Sequence, residues 1–423
     1  MDGDFLEAKW LGVLRRMAIG ALAVSVSLPM GSISASKVVL VLVGIAIFWG
    51  CNPKPLSWRV QRPPLNTWIY LGLFAILTSG LWTHASDALM WKSISRHSTL
   101  LLIPLLYFMV KTKKEAHWGL RCYVLGQLLV MASSWALFLG ISLPWQTATD
   151  GNTNRGNQFA VFSSYLDQAI MASLFAAVLW HGRAFLTTGW RRHGVIPACL
   201  ASLGCVFFLL PGRTGQLVGF AMISVWVIWL VPARMRVVAL SAPMVLMAAI
   251  LIFAKPAHDR FEESWTEARA YMQGDVRPTS IGFRLEAWRS ALVSIQEHPI
   301  AGTGAGSWGP QYDQIQSAAG RPNQNPTDGN PHQEFLLWGV ELGLGGIVLL
   351  IGILASIFRL SLRMDVAERR ATQSALLATV IACLFNCALY DALIGDYLCV
   401  TLALCLAAGL KPDAQVCRPL RSS

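Results

Sequence analysis

The residues best suited to chemistry lie far apart in this chain. In LLPGRTGQLVG, residues 209–219, Arg213 occupies a tight turn between two apolar runs, where Pro211, Gly212 and Gly215 let the backbone bend. A guanidinium offers five donors in a planar fork suited to phosphate. The same residue also suits a snorkelling contact with lipid headgroups. In SIGFRLEAWRSAL, residues 280–292, Arg284 and Trp288 are one helical turn apart and share a face. Arg289 is turned from Arg284 by about 140° at roughly 100° per residue, so the two do not point into one pocket. Arg289 and Glu286, taken singly, read as a solvated face. In NPHQEFLLWGVELGLGG, residues 330–346, His332 stands at the mouth of an apolar run. Neutral imidazole there is a general base near neutral pH, or an interfacial polar group. Glu341 lies about 13 Å deeper at roughly 1.5 Å per residue. A carboxylate inside a span marks a functional site or satisfies a neighbouring helix end. In GTGAGSWG, residues 302–309, no strand precedes the glycines, so a nucleotide fingerprint is weak. The turn's amides can hold phosphate, or the glycines let it pack against a helix. Asp391 and Asp396 flank the last turn between apolar runs; the pair could hold an ion, and the better reading is that both are solvated.

The elements that must carry these residues are membrane spans. The chain has 423 residues, 54% of them hydrophobic and 13% charged. Soluble domains carry roughly 25% charged residues. Apolar runs recur at lengths able to cross a bilayer core of roughly 30 Å. The expected spans are 17–33, 37–50, 66–82, 97–110, 118–141, 166–181, 194–210, 215–231, 236–254, 333–358, 371–390 and 394–409. The first run, preceded by Lys9, Arg15 and Arg16 and followed by SISAS, has a signal-peptide look, but an apolar run follows at once. A two-helix hairpin is the better reading. The fold class is thus an all-α integral membrane protein of about 12 transmembrane helices. It divides into 1–254 (spans one to nine), 255–331 (a large outer loop with two helices, near 258–273 and 281–297, and then loop) and 332–423 (three spans and a tail).

Charge sets the orientation. Lys and Arg concentrate in alternate loops and at both ends, for example Lys111, Lys113 and Lys114, and Arg359, Arg363, Arg369 and Arg370. The positive-inside rule puts these in the cytoplasm, with both termini. The net charge of +11 is mostly this signal and gives no ground for a nucleic-acid partner. The nine cysteines avoid the outer loops, which argues against a disulfide framework and a cysteine metal site.

The order of these motifs, an arginine in an outer turn, Arg-x-x-x-Trp, Pro-x-x-Gly-x-Gly, His-x-x-x-Leu and Glu-x-Gly-x-x-Gly, resembles the O-antigen ligase/polymerase superfamily of bacterial inner-membrane glycosyltransferases. Here the motifs are Arg213; Arg284 and Trp288; Pro299, Gly302 and Gly304; His332, Gln333 and Leu336; and Glu341, Gly343 and Gly346. The resemblance implies a GT-C-like, helical enzyme whose large periplasmic loop lies between spans nine and ten. It implies transfer of O-antigen glycan from undecaprenyl pyrophosphate (the donor) to a sugar hydroxyl of lipid A–core (the acceptor). It further implies inversion at the anomeric carbon, no cofactor and no metal. Arg213 and Arg284 would then neutralise the leaving pyrophosphate, with His332 as general base. Arg289, Trp288, Gly302, Gly304 and Gln333 would bind substrate. Arg155, Tyr165 and Gln168, in RGNQFAVFSSYLDQAI, would line a glycan or acceptor path. An O-antigen polymerase and a protein O-oligosaccharyltransferase share this donor chemistry. A lipid-glycan flippase is a different class. Transporters place paired charges or broken helices near mid-bilayer, whereas most spans here lack central charge.

Overall fold

The computed structural model describes residues 2–50, 64–147, 158–186, 189–235, 255–273, 279–320 and 329–410, with residues 241 and 245. Every regular element among them is helical. The order is α1 Asp2–Ser25, α2 Met30–Gly50, α3 Pro64–Ser79, α4 Asp87–His97 and α5 Leu102–Met109. Then follow α6 Lys113–Phe138, α7 Tyr165–Leu186, α8 Val195–Gly204, extended by a π turn at Cys205–Leu209, and α9 Arg213–Leu230. Next come α10 Lys255–Met272, α11 Ser280–Glu297, α12 Trp308–Ala318, α13 Glu334–Ser361, α14 Val366–Phe385 and α15 Ala392–Leu410. Seven stretches are helical, long and apolar enough to cross a membrane: Met30–Ile47, Lys113–Phe138, Tyr165–Leu186, Arg192–Leu209, Arg213–Leu230, Glu334–Ser361 and Ala392–Leu410. The expected span 236–254 lies almost wholly outside the described residues.

The core runs along α7 and α15, which are 78% and 83% buried over their apolar windows. Small residues permit this. Gly215 of α9 sits so close to α7 that a Cβ there would lie 2.2 Å from Ala169 Cβ. That approach seats the start of α9 beside the start of α7. At the opposite end of the bundle, Glu115 accepts from Arg16 at 3.2 Å and from the Lys111 amide at 2.9 Å. Lys113 pairs there with Glu368 at 2.8 Å. Basic residues therefore gather at the end away from Arg213.

The structure departs from the expected elements at four places. The first hairpin turns at 26–29 rather than within SISAS, which is helical in α2. Ser32 donates its hydroxyl back to the Pro29 carbonyl at 2.6 Å, so small polar residues cost that helix little. The polar stretch after Gly309 is not all loop: Trp308–Ala318 is a helix. Its Gln316 reaches Glu286 at 2.8 Å and Ser290 at 3.1 Å. Glu286 is consequently 5% exposed rather than solvated, and Tyr271 also donates to it at 2.6 Å. Asp396 is likewise 2% exposed, held by Lys37 of α2 at 2.8 Å.

The long helix α13 is broken at Gly343, where φ is 67° and ψ −159°. Such a break exposes backbone groups that must find partners when buried. The glycine-rich turn after α11 supplies them. The Thr303 amide donates to Val340 O at 2.8 Å, the Gly304 amide to Glu341 O at 3.0 Å, and Leu344 N to Pro299 O at 2.8 Å. Only glycine fits this contact: a Cβ on Gly302 would lie 2.5 Å from the Glu341 backbone, and Gly302 has φ 63°.

Candidate functional site

Arg213 begins α9, straight after the Pro–Gly turn, and its side chain is exposed. Arg284 lies on α11, whose start is capped by Thr279 Oγ1 accepting from Gly282 N at 3.1 Å. The same face of α11, at i+3, i+7 and i+11 from Arg284, buries Ala287, Ala291 and Ile295 against α13. That packing turns Arg284 towards the bundle end, where its Nη2 donates to Asn386 Oδ1 at 3.5 Å. Asn386 in turn donates to Thr214 Oγ1 at 3.2 Å. One asparagine at the end of α14 thus ties the two arginine-bearing segments together. Burial first, and then the Arg213 charge, lower the pKa of Arg284. Among the described residues no carboxylate pairs with either guanidinium. Two like charges drawn together, with no counter-charge among the described residues, suit an anion.

His332 enters from the segment before α13. It has φ 52°, the sole non-glycine residue with positive φ among those described. That conformation costs about 1–3 kcal/mol and persists only where its surroundings impose it. Asn330 Oδ1 accepts the His332 amide at 2.9 Å, and Gln333 Oε1 caps α13 by accepting from Leu336 N at 2.8 Å. The His332 ring stands edge-on to Phe283, centroids 5.7 Å apart, beside Arg284. Burial, and then the Arg284 charge, push its pKa down to about 4. The imidazole is therefore neutral at physiological pH.

The two carboxylates of the same motif do other work. Glu334 is fully buried and accepts from Leu389 N at 3.0 Å, Tyr390 N at 3.3 Å and Trp338 Nε1 at 3.2 Å. It thereby fixes the loop between α14 and α15. Glu341, also fully buried, accepts from Ser93 at 2.6 Å, bonds His97 Nε2 at 2.7 Å and receives Gly306 N at 2.8 Å. It pins α4 and the glycine turn to the broken helix.

Tyr165, at the start of α7, lies within electrostatic reach of Arg284 and so joins the cluster. Several expected residues do not. Gln168 is 3% exposed and has both amide ends engaged, with Val161 N at 2.8 Å and Ser134 at 2.6 Å. Arg289 is exposed on the far side of α11, with Glu286 3.9 Å away. Trp288 is half-buried against the α11–α13 packing. Gly302 and Gly304 face α13 and Thr83. Arg155 lies outside the described residues. Sequence reasoning missed Asn386 and undervalued Asp391. Asn330 donates to Asp391 at 3.4 Å. Burial, Asp167 and Glu334 raise the Asp391 pKa to about 7. A polar residue ending an apolar span was the available signal for both. Among the described residues no three His, Cys, Asp or Glu converge as metal ligands would.

Residues 197–351, which hold Arg213, Arg284 and His332, match the family model of the O-antigen ligases (Wzy_C). A curated relative, an uncharacterized protein of Haemophilus influenzae, is 29% identical over 99 residues, which cover 22% of this chain and 24% of that protein. The match thus spans about a quarter of that relative's length.

Proposed function

The chain belongs to the O-antigen ligase superfamily, and on that premise we propose that it transfers O-antigen glycan from undecaprenyl pyrophosphate to a sugar hydroxyl of lipid A–core. The observation that carries this reading is the pair Arg213 and Arg284, with no carboxylate partner among the described residues, beside a neutral His332 at one end of an apolar bundle. The acceptor oxygen attacks the anomeric carbon as the bond to the pyrophosphate oxygen breaks. Negative charge grows on the phosphate oxygens, where two fixed guanidinium groups stabilise it. His332 takes the hydroxyl proton, a contribution typically worth 10²–10⁴-fold. An arriving pyrophosphate offsets the Arg284 field, which raises the basicity of His332 when it is needed. A single displacement inverts the anomeric centre. No step draws on a metal or cofactor.

The basic end of the bundle belongs in the cytoplasm by the positive-inside rule, which puts the arginine pair on the periplasmic face of the inner membrane. The chain would then cross about twelve times, the seven long apolar helices among the described residues being part of that number, with both termini inside. There both lipid-linked substrates diffuse in from the bilayer.

The test is transfer by the purified protein from undecaprenyl-pyrophosphate glycan to lipid A–core. Glycan on lipid A–core, lost in Arg213→Ala, Arg284→Ala and His332→Ala, is the expected result. Glycan lengthening on undecaprenyl would make the protein a polymerase, and glycan on a peptide serine an O-oligosaccharyltransferase. Glycan translocation across vesicles without any transfer would make it a flippase.

A further inference from the structure

A second positive centre lies at the same end of the bundle as Arg213 and Arg284, and the transfer chemistry does not use it. It is carried by α4. His97 bonds Glu341 at 2.7 Å, Ser93 donates to the same carboxylate at 2.6 Å, and the Tyr390 ring stands edge-on to His97 with centroids 5.3 Å apart. Those contacts seat α4 against the broken helix α13 and against the loop between α14 and α15. Lys92 and Arg96 are one turn apart on α4 and so share a face. Lys92 lines an open crevice with Gly306, Trp308, Gly329 and Tyr390. Arg96 is half-buried, and among the described residues it makes no hydrogen bond or ion pair. Its field reaches Tyr390, Asp391 and Asp396, but Asp396 is already held by Lys37 at 2.8 Å. Glu341 borders the crevice too, and its oxygens are taken by Ser93, His97 and the Gly306 amide.

This centre and the arginine pair touch the two ends of one loop. Arg284 bonds Asn386, where α14 ends, at 3.5 Å, whereas α4 packs on Tyr390 and Arg96 acts on Asp391. The segment of the candidate base links the two: Asn330 donates to Asp391 at 3.4 Å and accepts the His332 amide at 2.9 Å. In a single displacement the attacking oxygen enters on the face opposite the leaving group. With the pyrophosphate at Arg213 and Arg284, the acceptor approaches from the other side of His332, towards α4. We propose that Arg96, with Lys92, forms an acceptor subsite that binds a phosphate on the lipid-anchored acceptor glycan. The inference rests on the transfer reading above, in which the acceptor is a membrane glycolipid. The fork of Arg96 suits a phosphate, and Lys92 adds charge beside the crevice. Trp91, exposed next to them, suits the membrane interface from which a glycolipid arrives.

Native mass spectrometry of the full-length protein tests this, by retention of phosphorylated lipid A–core with no donor present. The same glycolipid stripped of phosphate, phosphatidylglycerol and inorganic phosphate are the other arms. The phosphorylated acceptor should be retained about tenfold better than the stripped form, the effect of one charge-assisted hydrogen bond. Arg96→Gln should erase most of that preference and Lys92→Gln should reduce it. Arg96→Lys keeps the charge but not the fork and should retain part of it. The wild-type comparison and Lys92→Gln carry the test should Arg96→Gln not purify as a single species. Equal retention of the two acceptors, or an unchanged preference in Arg96→Gln, overturns the proposal. Displacement of the acceptor by equimolar phosphatidylglycerol or phosphate also overturns it, because the site would then take any headgroup or a free anion. These outcomes stand apart from the transfer assay: transfer with equal retention would remove the subsite and leave the ligase reading, and a preference lost in Arg96→Gln without transfer would do the reverse.

Discussion

His332 combines strain, burial and a neighbouring cation, and each has a measurable consequence. Because burial and Arg284 hold its pKa at about 4, the imidazole stays unprotonated well below the usual histidine range. A base must be unprotonated to act, so the acid limb of kcat/KM should fall below pH 6 in the wild type. Replacing Arg284 with Gln removes the charge, and the limb should move upward in pH while kcat falls. A pH–rate profile of both proteins checks this; an acid limb near 6.5 in the wild type would contradict the assigned environment. His332→Asn should keep the fold, since asparagine tolerates positive φ, yet lose roughly 10²–10⁴-fold in transfer. Circular dichroism beside the transfer assay separates the two effects. At this scale the sequence singled out Arg213, Arg284 and His332 by residue type, and the structure adds their surroundings. Neither Asn386 nor Glu341 was legible in role: Asn386 acts by bridging α11 to α9, and the partners of Glu341, Ser93 and His97, are some 250 positions away in sequence.

Among the elements, the broken helix α13 and the glycine turn that fills it form one unit. Gly343→Ala would place a Cβ 2.5 Å from Pro299 O at a backbone φ of 67°. Overpacking and strain each typically cost about 1–3 kcal/mol. Thermal unfolding in detergent should show a clear loss of Tm, whereas Gly345→Ala, with open space around it, should not. Glu341→Leu would leave His97, Ser93 and Gly306 N without their acceptor and should destabilise the protein more than Glu341→Gln does. Equal Tm for those two variants would remove Glu341 from its pinning role. Apolar spacing along 281–297 placed α11 well. It gave no sign of α12, because the polar face of Trp308–Ala318 finds its partners on α11 rather than in its own periodicity.

Over the whole molecule, the arginine pair and the cluster of Arg16, Lys111 and Lys113 occupy opposite ends of one bundle. Single cysteines at exposed Gln314 and Lys114, in a background without other cysteines, test the proposed orientation. An impermeant maleimide added to intact cells with a permeabilised outer membrane should label the former and spare the latter. Labelling of both, or the reverse pattern, would overturn the topology.

The sequence alone determined that the chain is helical and built of apolar spans, because a backbone in hydrocarbon must pair its own polar groups and can do so locally in a helix. The composition of each span carried that information, as the order of the motifs carried the superfamily. Position within the bundle was decided elsewhere. The apolar windows of α2 and α15 have the same mean hydropathy, 2.0, yet are 22% and 83% buried. Hydropathy measures preference for leaving water, and lipid and protein interior satisfy it equally. Which helix sits at the centre follows from close contacts such as Gly215 on Ala169. Which polar residues form the site follows from five segments, at 165, 213–214, 284, 330–333 and 386–391, meeting at one end. Only the tertiary structure brings those together.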